Sequence, residues 1–254
     1  MLAVAGPASA FFLNGVSFLA VIAVLRVVKP LPATEAGRRS TEGVIAGFAS
    51  AITYIRQRTG VMISMLSAML VGFFGNPVTQ FTVVFADQVY RAGPRVLGVL
   101  AASVGIGAVL IAPFLSSWDT RLSRSTVVRC ALPAYAVAVI SFGLSPNWPL
   151  GLISLLFVGA GFLAVVATTN TAVQLIVADE MRGRVMSARV MGFTLAFPLG
   201  SLLQGVLADI WGPQTTVVVF GACLAVVAGF LASRPRLLRE LDRTDDTPDR
   251  QLGS

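Results

Sequence analysis

The chain has 254 residues, of which 56% are hydrophobic and only 12% are charged, and its formal net charge is +7. An ordinary soluble domain has about 25% charged residues, so this composition leaves too little polar surface for a protein that faces water. The basic residues are spread over separate connections, which excludes a nucleic-acid-binding face. Histidine is absent and both cysteines lie in apolar stretches, so we expect no metal site, no disulfide framework and no cofactor.

Seven apolar stretches follow one another along the chain, each long enough to cross a bilayer. A membrane-spanning helix needs about 20 mostly apolar residues, because the hydrocarbon core is about 30 Å thick. Within the stretches only Arg26 and Arg129 are charged, so the sequence predicts an all-α membrane protein with seven transmembrane helices. The predicted spans are Pro7–Val28, Val61–Phe85, Val96–Trp118, Thr126–Leu144, Leu150–Ala178, Val190–Ala208 and Thr215–Ser233.

The connection between the first and second spans differs in character from the short connections that follow. Residues 29–39 carry prolines, a glycine and several charges, which is typical of a linker. In Thr41–Arg56 the apolar residues recur at helical spacing, with Thr41 as the N-cap, which predicts a short amphipathic helix on the membrane surface. The alternative is that this stretch extends the second span.

Lysine and arginine are distributed unequally between the two sides of the predicted bundle. Seventeen of the 19 basic residues fall on one side, and only Arg91 and Arg95 fall on the other. Because positive charge in short loops stays in the cytoplasm, we expect the first residue outside, the last residue inside, and a multi-pass protein of the plasma membrane. Residues 234–254 are expected to form a charged cytoplasmic tail that is disordered beyond Leu238.

Three short motifs occur in order along the chain. Near the start, GPA at 6–8 is followed by FLN at 12–14. Residues 178–187 read ADEMRGRVMS, an acidic pair followed by Arg-Gly-Arg-Val. Further on, PLG at 198–200 precedes GVLADIWG at 205–212. Together these motifs resemble the secretion-effector, siderophore-exporter-like branch of the major facilitator superfamily.

The resemblance implies both a domain organisation and a function. Residues 1–28 correspond to an orphan helix, the last of an N-terminal half whose first five helices are missing, and residues 29–60 to the cytoplasmic linker with its amphipathic helix. Residues 61–233 correspond to the C-terminal half of a transporter, a bundle of six helices in a 3+3 arrangement. The implied function is transmembrane transport of small molecules, in the direction of efflux. The expected partners are the bilayer, a small amphiphilic substrate, and either the missing half or further copies of this chain.

Uncharged polar residues in the spans are the candidate substrate-binding residues. Asn76 and Gln80 share one face of the second span, on either side of Pro77, which we expect to loosen the local hydrogen bonding. Thr169 and Asn170 lie together in the fifth span. Secondary transporters bind substrate near the bilayer midplane beside irregular helices, so we predict that these four residues line a cavity. The alternative is that they hydrogen-bond to neighbouring helices. The predicted spans have no Asp, Glu, Lys or Arg deep in the membrane, so no buried carboxylate is expected to carry protons.

The connection between the fifth and sixth spans carries a cluster of charges. Asp179, Glu180, Arg182 and Arg184 are predicted to form a cytoplasmic gate, whose ion pairs break as the two halves of a transporter rock. The alternative is a solvated loop, because exposed ion pairs contribute little. Glycines in the third, fifth and sixth spans are predicted to let helices pack closely.

Other classes of membrane protein fit the sequence less well than a transporter. A retinal-binding receptor needs a Schiff-base lysine in its last span, and Thr215–Ser233 contains none. An intramembrane enzyme needs a nucleophile with a base or a metal set, and the spans offer neither, so we expect no enzyme. A receptor-like protein of another kind, or a membrane scaffold that transports nothing, stays open as the alternative.

Overall fold

The computed structural model describes residues 44–118 and 122–244, together with Phe12, 15–19, 21–24 and Arg26. Residues from 44 onward form one unit, and its described part is all-α, with no strand among the described residues. Its helices are α1 (Val44–Gln57), α2 (Thr59–Val89), α3 (Pro94–Trp118), α4 (Arg124–Gly143), α5 (Trp148–Ile176), α6 (Asp179–Trp211), α7 (Pro213–Ala232) and α8 (Pro235–Leu238), and a 3-10 turn at Arg239–Asp242 follows.

Among the described residues six helices, α2 to α7, are long and apolar enough to cross a membrane, which confirms the fold class as an all-α membrane protein. The first predicted span lies mostly outside the described residues, and within it residues 15–19 and 21–24 are helical. The predicted connection over 179–189 is wrong, because α6 already begins at Asp179. Val185 and Ala188 in this stretch are buried, so apolar packing continues the helix through residues that were expected to form a loop.

Helix α2 is interrupted twice, each time by a turn of π-helix. The first lies at Val71–Gly75, where the Asn76 amide donates to the Val71 carbonyl at 2.8 Å, and Pro77 follows directly. The second lies at Phe85–Val89. Proline has no N–H to donate, so a helix that contains it leaves a carbonyl one turn earlier without its usual partner. The prediction that Pro77 loosens this part of the second span is confirmed.

The helices pack with α2, α4 and α5 at the centre of the bundle. Helix α5 contacts α2, α3 and α4, and α4 also packs along α7. The apolar core contains the fully buried Tyr135 and Leu155, and the rings of Phe85 and Phe142 stack with their centroids 4.4 Å apart. In the apolar windows of α3 and α6 only 17% of the residues are buried, against 61% in α2. Large apolar faces of α3 and α6 are therefore available to lipid or to another protein.

Helix α1 and the segment after α7 lie against the same end of the bundle, which we call the arginine-rich end after the ten arginines that the structure describes there. A second apolar cluster joins them: Ala51 and Ile55 of α1 are buried together with Leu238 and Leu241. Helix α1 is separate from α2, because Arg58 between them has extended backbone angles. The ten arginines at the arginine-rich end are Arg56, Arg58, Arg124, Arg129, Arg182, Arg184, Arg234, Arg236, Arg239 and Arg243.

The predicted helix over Thr41–Arg56 is found as α1, although Thr41 itself lies outside the described residues. It packs against α6 and α2. The prediction that the tail is disordered beyond Leu238 is wrong for Arg239–Asp242, which form a 3-10 turn with Leu241 fully buried. Residues 245–254 lie outside the described residues.

The 3-10 turn also closes the amino end of α4. One oxygen of the Asp242 carboxylate accepts from the Ser125 amide at 3.0 Å, and the other accepts from the Ser125 hydroxyl at 2.6 Å. Arg124 donates to the Asp242 carbonyl at 2.9 Å. The first amides of a helix have no partner within the helix, and its positive dipole end favours a carboxylate. A residue 117 positions away thus stabilises the start of α4.

We expect an Asp242→Ala variant to lose about 1 kcal/mol of unfolding free energy, the usual effect of removing a helix-capping oxygen. Denaturant titration of the purified protein in detergent measures this loss. Asp209→Ala is the matched control, because Asp209 is exposed and makes no hydrogen bond or ion pair with another described residue. Equal losses in both variants would contradict the capping role.

Candidate functional site

A buried arginine on α6 is the most unusual group in the described bundle. Arg189 lies ten residues beyond the start of α6, and only 6% of its surface is exposed. Nη2 donates to Thr169 Oγ1 at 2.8 Å and to the Val166 carbonyl at 3.3 Å, and Nη1 donates to Asn170 Oδ1 at 3.2 Å. We call these four residues the Arg189 cluster; they join α6 to α5.

Helix α5 orients the acceptors of the Arg189 cluster. The Thr169 hydroxyl donates to the Val165 carbonyl at 2.7 Å, which leaves its lone pairs for the guanidinium. All the acceptors are neutral, and within the described chain no carboxylate pairs with Arg189. The Arg189 Nε is buried and has no hydrogen-bond partner among the described residues. Such a group costs about 1–3 kcal/mol, a cost that an acceptor reaching Nε would remove.

Arg189 was not predicted as a site residue, because the predicted sixth span begins one residue later and the arginine falls in the predicted loop. The observed helix corrects the prediction of a loop at this position, because Arg189 lies on the buried face of the apolar helix α6. The spacing of small residues in the sequence could have indicated that this stretch is helical. Small residues recur at every fourth position of α6, and Arg189 lies beside them on the face that packs against the bundle. These positions are Ala188, Gly192, Ala196 and Gly200.

The break in α2 forms a second polar region, and α6 packs directly on it. The Gln204 side-chain amide donates to the carbonyls of Phe73 and Phe74, at 3.2 and 3.3 Å. The Phe73 carbonyl lies one turn before Pro77, which has no N–H to donate. Gly200, one turn before Gln204, lies so close to this carbonyl that a Cβ would overlap its oxygen. Buried Gln204 therefore satisfies the carbonyls freed by the break.

The four predicted cavity residues divide between these two regions. Thr169 and Asn170 belong to the Arg189 cluster, whereas Asn76 is half-buried at the break and Gln80 is exposed. The start of α2 lies beside the end of α5, because Arg58 donates to the Ile176 carbonyl at 3.3 Å. Measured from there at 1.5 Å per residue, Asn76 lies about 15 Å further into the bundle than Thr169. Thr169 and Asn170 thus lie at a different depth in the bundle from Asn76 and Gln80.

The predicted gate residues lie in the first two turns of α6, at the arginine-rich end. Asp179 and Glu180 occupy the first turn, where negative charge stabilises a helix. Asp179 pairs with Arg182 at 2.6 Å, and both side chains are largely exposed. Arg184 Nη1 donates to the Ser50 hydroxyl at 3.1 Å and so connects α6 with α1. The Asp179–Arg182 ion pair lies within α6, whereas the hydrogen bond from Arg184 to Ser50 joins α6 to α1.

The sequence of the chain matches a known family and known efflux pumps. The transmembrane secretion effector family matches residues 1–253. The multidrug efflux pump Tap of Mycolicibacterium fortuitum is 29% identical over 95% of this chain and 59% of its own length. The Tap pump of Mycobacterium tuberculosis is 26% identical over 84% of this chain and 51% of its own length. The chain thus spans a little over half the length of these relatives. With a six-helix apolar bundle and a match along its whole length, it belongs to the transmembrane secretion effector family of the major facilitator superfamily.

Proposed function

We propose that this chain takes part in the efflux of small amphiphilic molecules, as one helical half of a major-facilitator-type secondary transporter. The family match and the similarity to efflux pumps support this function. The chain matches a little over half of those pumps, so the activity of a whole pump is part of the proposal. We further propose that the chain moves its substrate without covalent chemistry.

The Arg189 cluster carries the proposal. Burying a guanidinium away from water with only neutral partners costs free energy. Charged residues inside membrane bundles usually mark a substrate or ion pathway. Its Nε has no acceptor among the described residues. We propose that a carbonyl or carboxylate of the substrate, or of the other half of the transporter, reaches this donor during the transport cycle.

The remaining predicted residues fit a path along the bundle. Asn76 and Gln80 would form a second polar step near the break in α2, since irregular helices are typical of substrate sites in transporters. Asp179, Glu180, Arg182 and Arg184 would act as the gate at the arginine-rich end. The distance between the two polar regions supports a substrate path with two separate polar sites.

We propose that the arginine-rich end faces the cytoplasm of a plasma membrane, with the first residue outside and the last inside. The support is the excess of arginine at this end, following the positive-inside rule. The exposed faces of α3 and α6 would contact lipid and a second helical half, which another copy of the chain could replace. These assignments rest on charge and exposure.

An efflux assay with a neutral amphiphilic dye tests the proposed function. The full chain is expressed in an efflux-deficient bacterium loaded with Nile red, alone and together with the part of Tap that it does not match. We expect energy-dependent loss of dye in at least one arm. Equal dye retention in both arms and in vector-only cells, with the protein present in the membrane fraction, would refute efflux and favour a scaffold that transports nothing.

A further inference from the structure

Two cavities lie next to each other at the arginine-rich end, on either side of Thr126. The first, the polar cavity, has a volume of about 350 Å³ and is lined by Ser123, Arg129, Arg239 and Asp242, among others. The second, the apolar groove, has a volume of about 300 Å³ and lies among α3, α4 and α5. Thr126 lines both, so a ligand could extend from one into the other.

The polar cavity presents positive charge that the described protein does not neutralise. Arg129 of α4 and Arg239 of the 3-10 turn are exposed, and neither makes a hydrogen bond or ion pair among the described residues. The one carboxylate in the cavity belongs to Asp242, and both its oxygens already accept from Ser125. The amino end of α4, which holds this carboxylate, offsets about half of its charge. The cavity therefore favours an anion, and guanidinium groups bind phosphate oxygens especially well.

The apolar groove offers a matching site for hydrocarbon. Its walls include Phe157 and Ile111, with small residues at Ala134 and Ala160 that leave the space open. Cys130, one turn after Thr126 on α4, continues the wall away from the polar cavity. A ligand that fills both spaces needs an anionic head and an apolar chain.

We propose that the polar cavity and the apolar groove form one binding site for an anionic phospholipid. The phosphate lies between Arg129 and Arg239, and an acyl chain lies along α4 in the groove. Basic pockets between membrane helices are suited to anionic headgroups. A bound lipid joins the 3-10 turn to α3, α4 and α5, and so holds the segment after α7 on the bundle.

Native mass spectrometry of the detergent-purified chain tests this site, because it resolves bound lipid by mass. The palmitoyl-oleoyl lipids phosphatidylglycerol and phosphatidylcholine are titrated separately, and inorganic phosphate is a third arm. We expect phosphatidylglycerol to bind more tightly than phosphatidylcholine. An Arg129→Gln/Arg239→Gln double variant should weaken phosphatidylglycerol binding roughly 30-fold, from the usual contribution of two cations near a membrane surface.

A matched double variant and a filled groove complete the test. Arg56→Gln/Arg236→Gln removes two exposed arginines from the same end outside both cavities, and should leave the affinity within about twofold, since these charges act only at a distance. Ala134→Phe should weaken the binding of phosphatidylglycerol but not of its dibutyryl analogue, whose chains are too short to fill the groove. Equal loss in the two double variants, equal binding of the two lipids, or displacement of phosphatidylglycerol by inorganic phosphate would each overturn the proposed site.

Discussion

An Arg189→Met variant is expected to lose at least nine-tenths of Nile red efflux while its unfolding free energy stays within about 1 kcal/mol of the parent chain. The two measurements separate function from structure. Methionine removes the hydrogen bonds to Thr169 and Asn170, but it also removes the cost of a buried cation, and exchanging buried charge for apolar volume is often neutral or stabilising. Hydrogen bonds between membrane helices contribute modestly as well, about 0.6 kcal/mol on average.

The assay is the efflux measurement proposed above, in the arm that shows activity, together with denaturant titration in detergent. Arg189→Lys keeps the charge but loses the fork that reaches two acceptors, so we expect partial activity. Arg236→Gln is the control, because Arg236 is exposed at the same end of the bundle. Full efflux by Arg189→Met would show that the cluster serves only to pack α5 on α6.

A Gly159→Ala variant is expected to be strongly destabilised by the addition of a single methyl group. Helices α3 and α5 cross so closely that a Cβ at Gly159 would overlap the Val104 carbonyl, and a Cβ at Gly107 would overlap the Leu156 carbonyl. The contact is reciprocal, with each glycine lying against the backbone of the other helix. Backbone cannot move aside as a side-chain tip can, so the helices must separate. Overpacking of this kind costs about 1–3 kcal/mol.

Gly105→Ala is the matched control, since it lies on α3 two residues from Gly107 and has nothing within 4 Å of an added Cβ. Alanine is the better helix former, by about 1 kcal/mol in water, so this variant should be neutral or more stable. Denaturant titration of both variants in detergent compares them directly. A stability loss at Gly105 as large as at Gly159 would contradict the close crossing.

The predicted close packing at glycines is found at some of these positions and not at others. A small residue on an apolar helix indicates packing, and Gly107, Gly159 and Gly200 do lie against the backbone of another helix. Gly98, Gly105 and Gly205 looked the same in the sequence, but a Cβ added at any of them would have no described residue within 4 Å. The difference depends on which face of each helix meets a neighbour, and composition carries no information about that.

The sequence by itself determined that the protein lies in a membrane, that six helices long enough to cross it follow residue 58, and which end carries the arginines. These properties follow from the apolar length that a bilayer demands and from the placement of charge, both of which are local. Local pattern also predicted α1 and the irregularity at Pro77. The three motifs at 6–14, 178–187 and 198–212 indicated the family.

Only the tertiary structure decided which polar groups meet. Arg189 is a loop residue by hydropathy, and it becomes the centre of a cluster because α6 starts ten residues earlier and presents that face to α5. Asp242 looked like part of a disordered tail, yet it caps a helix that begins 118 residues earlier. In both cases the deciding energy comes from contacts distant in sequence: buried polar groups must find partners, and only the fold determines which partners lie within reach.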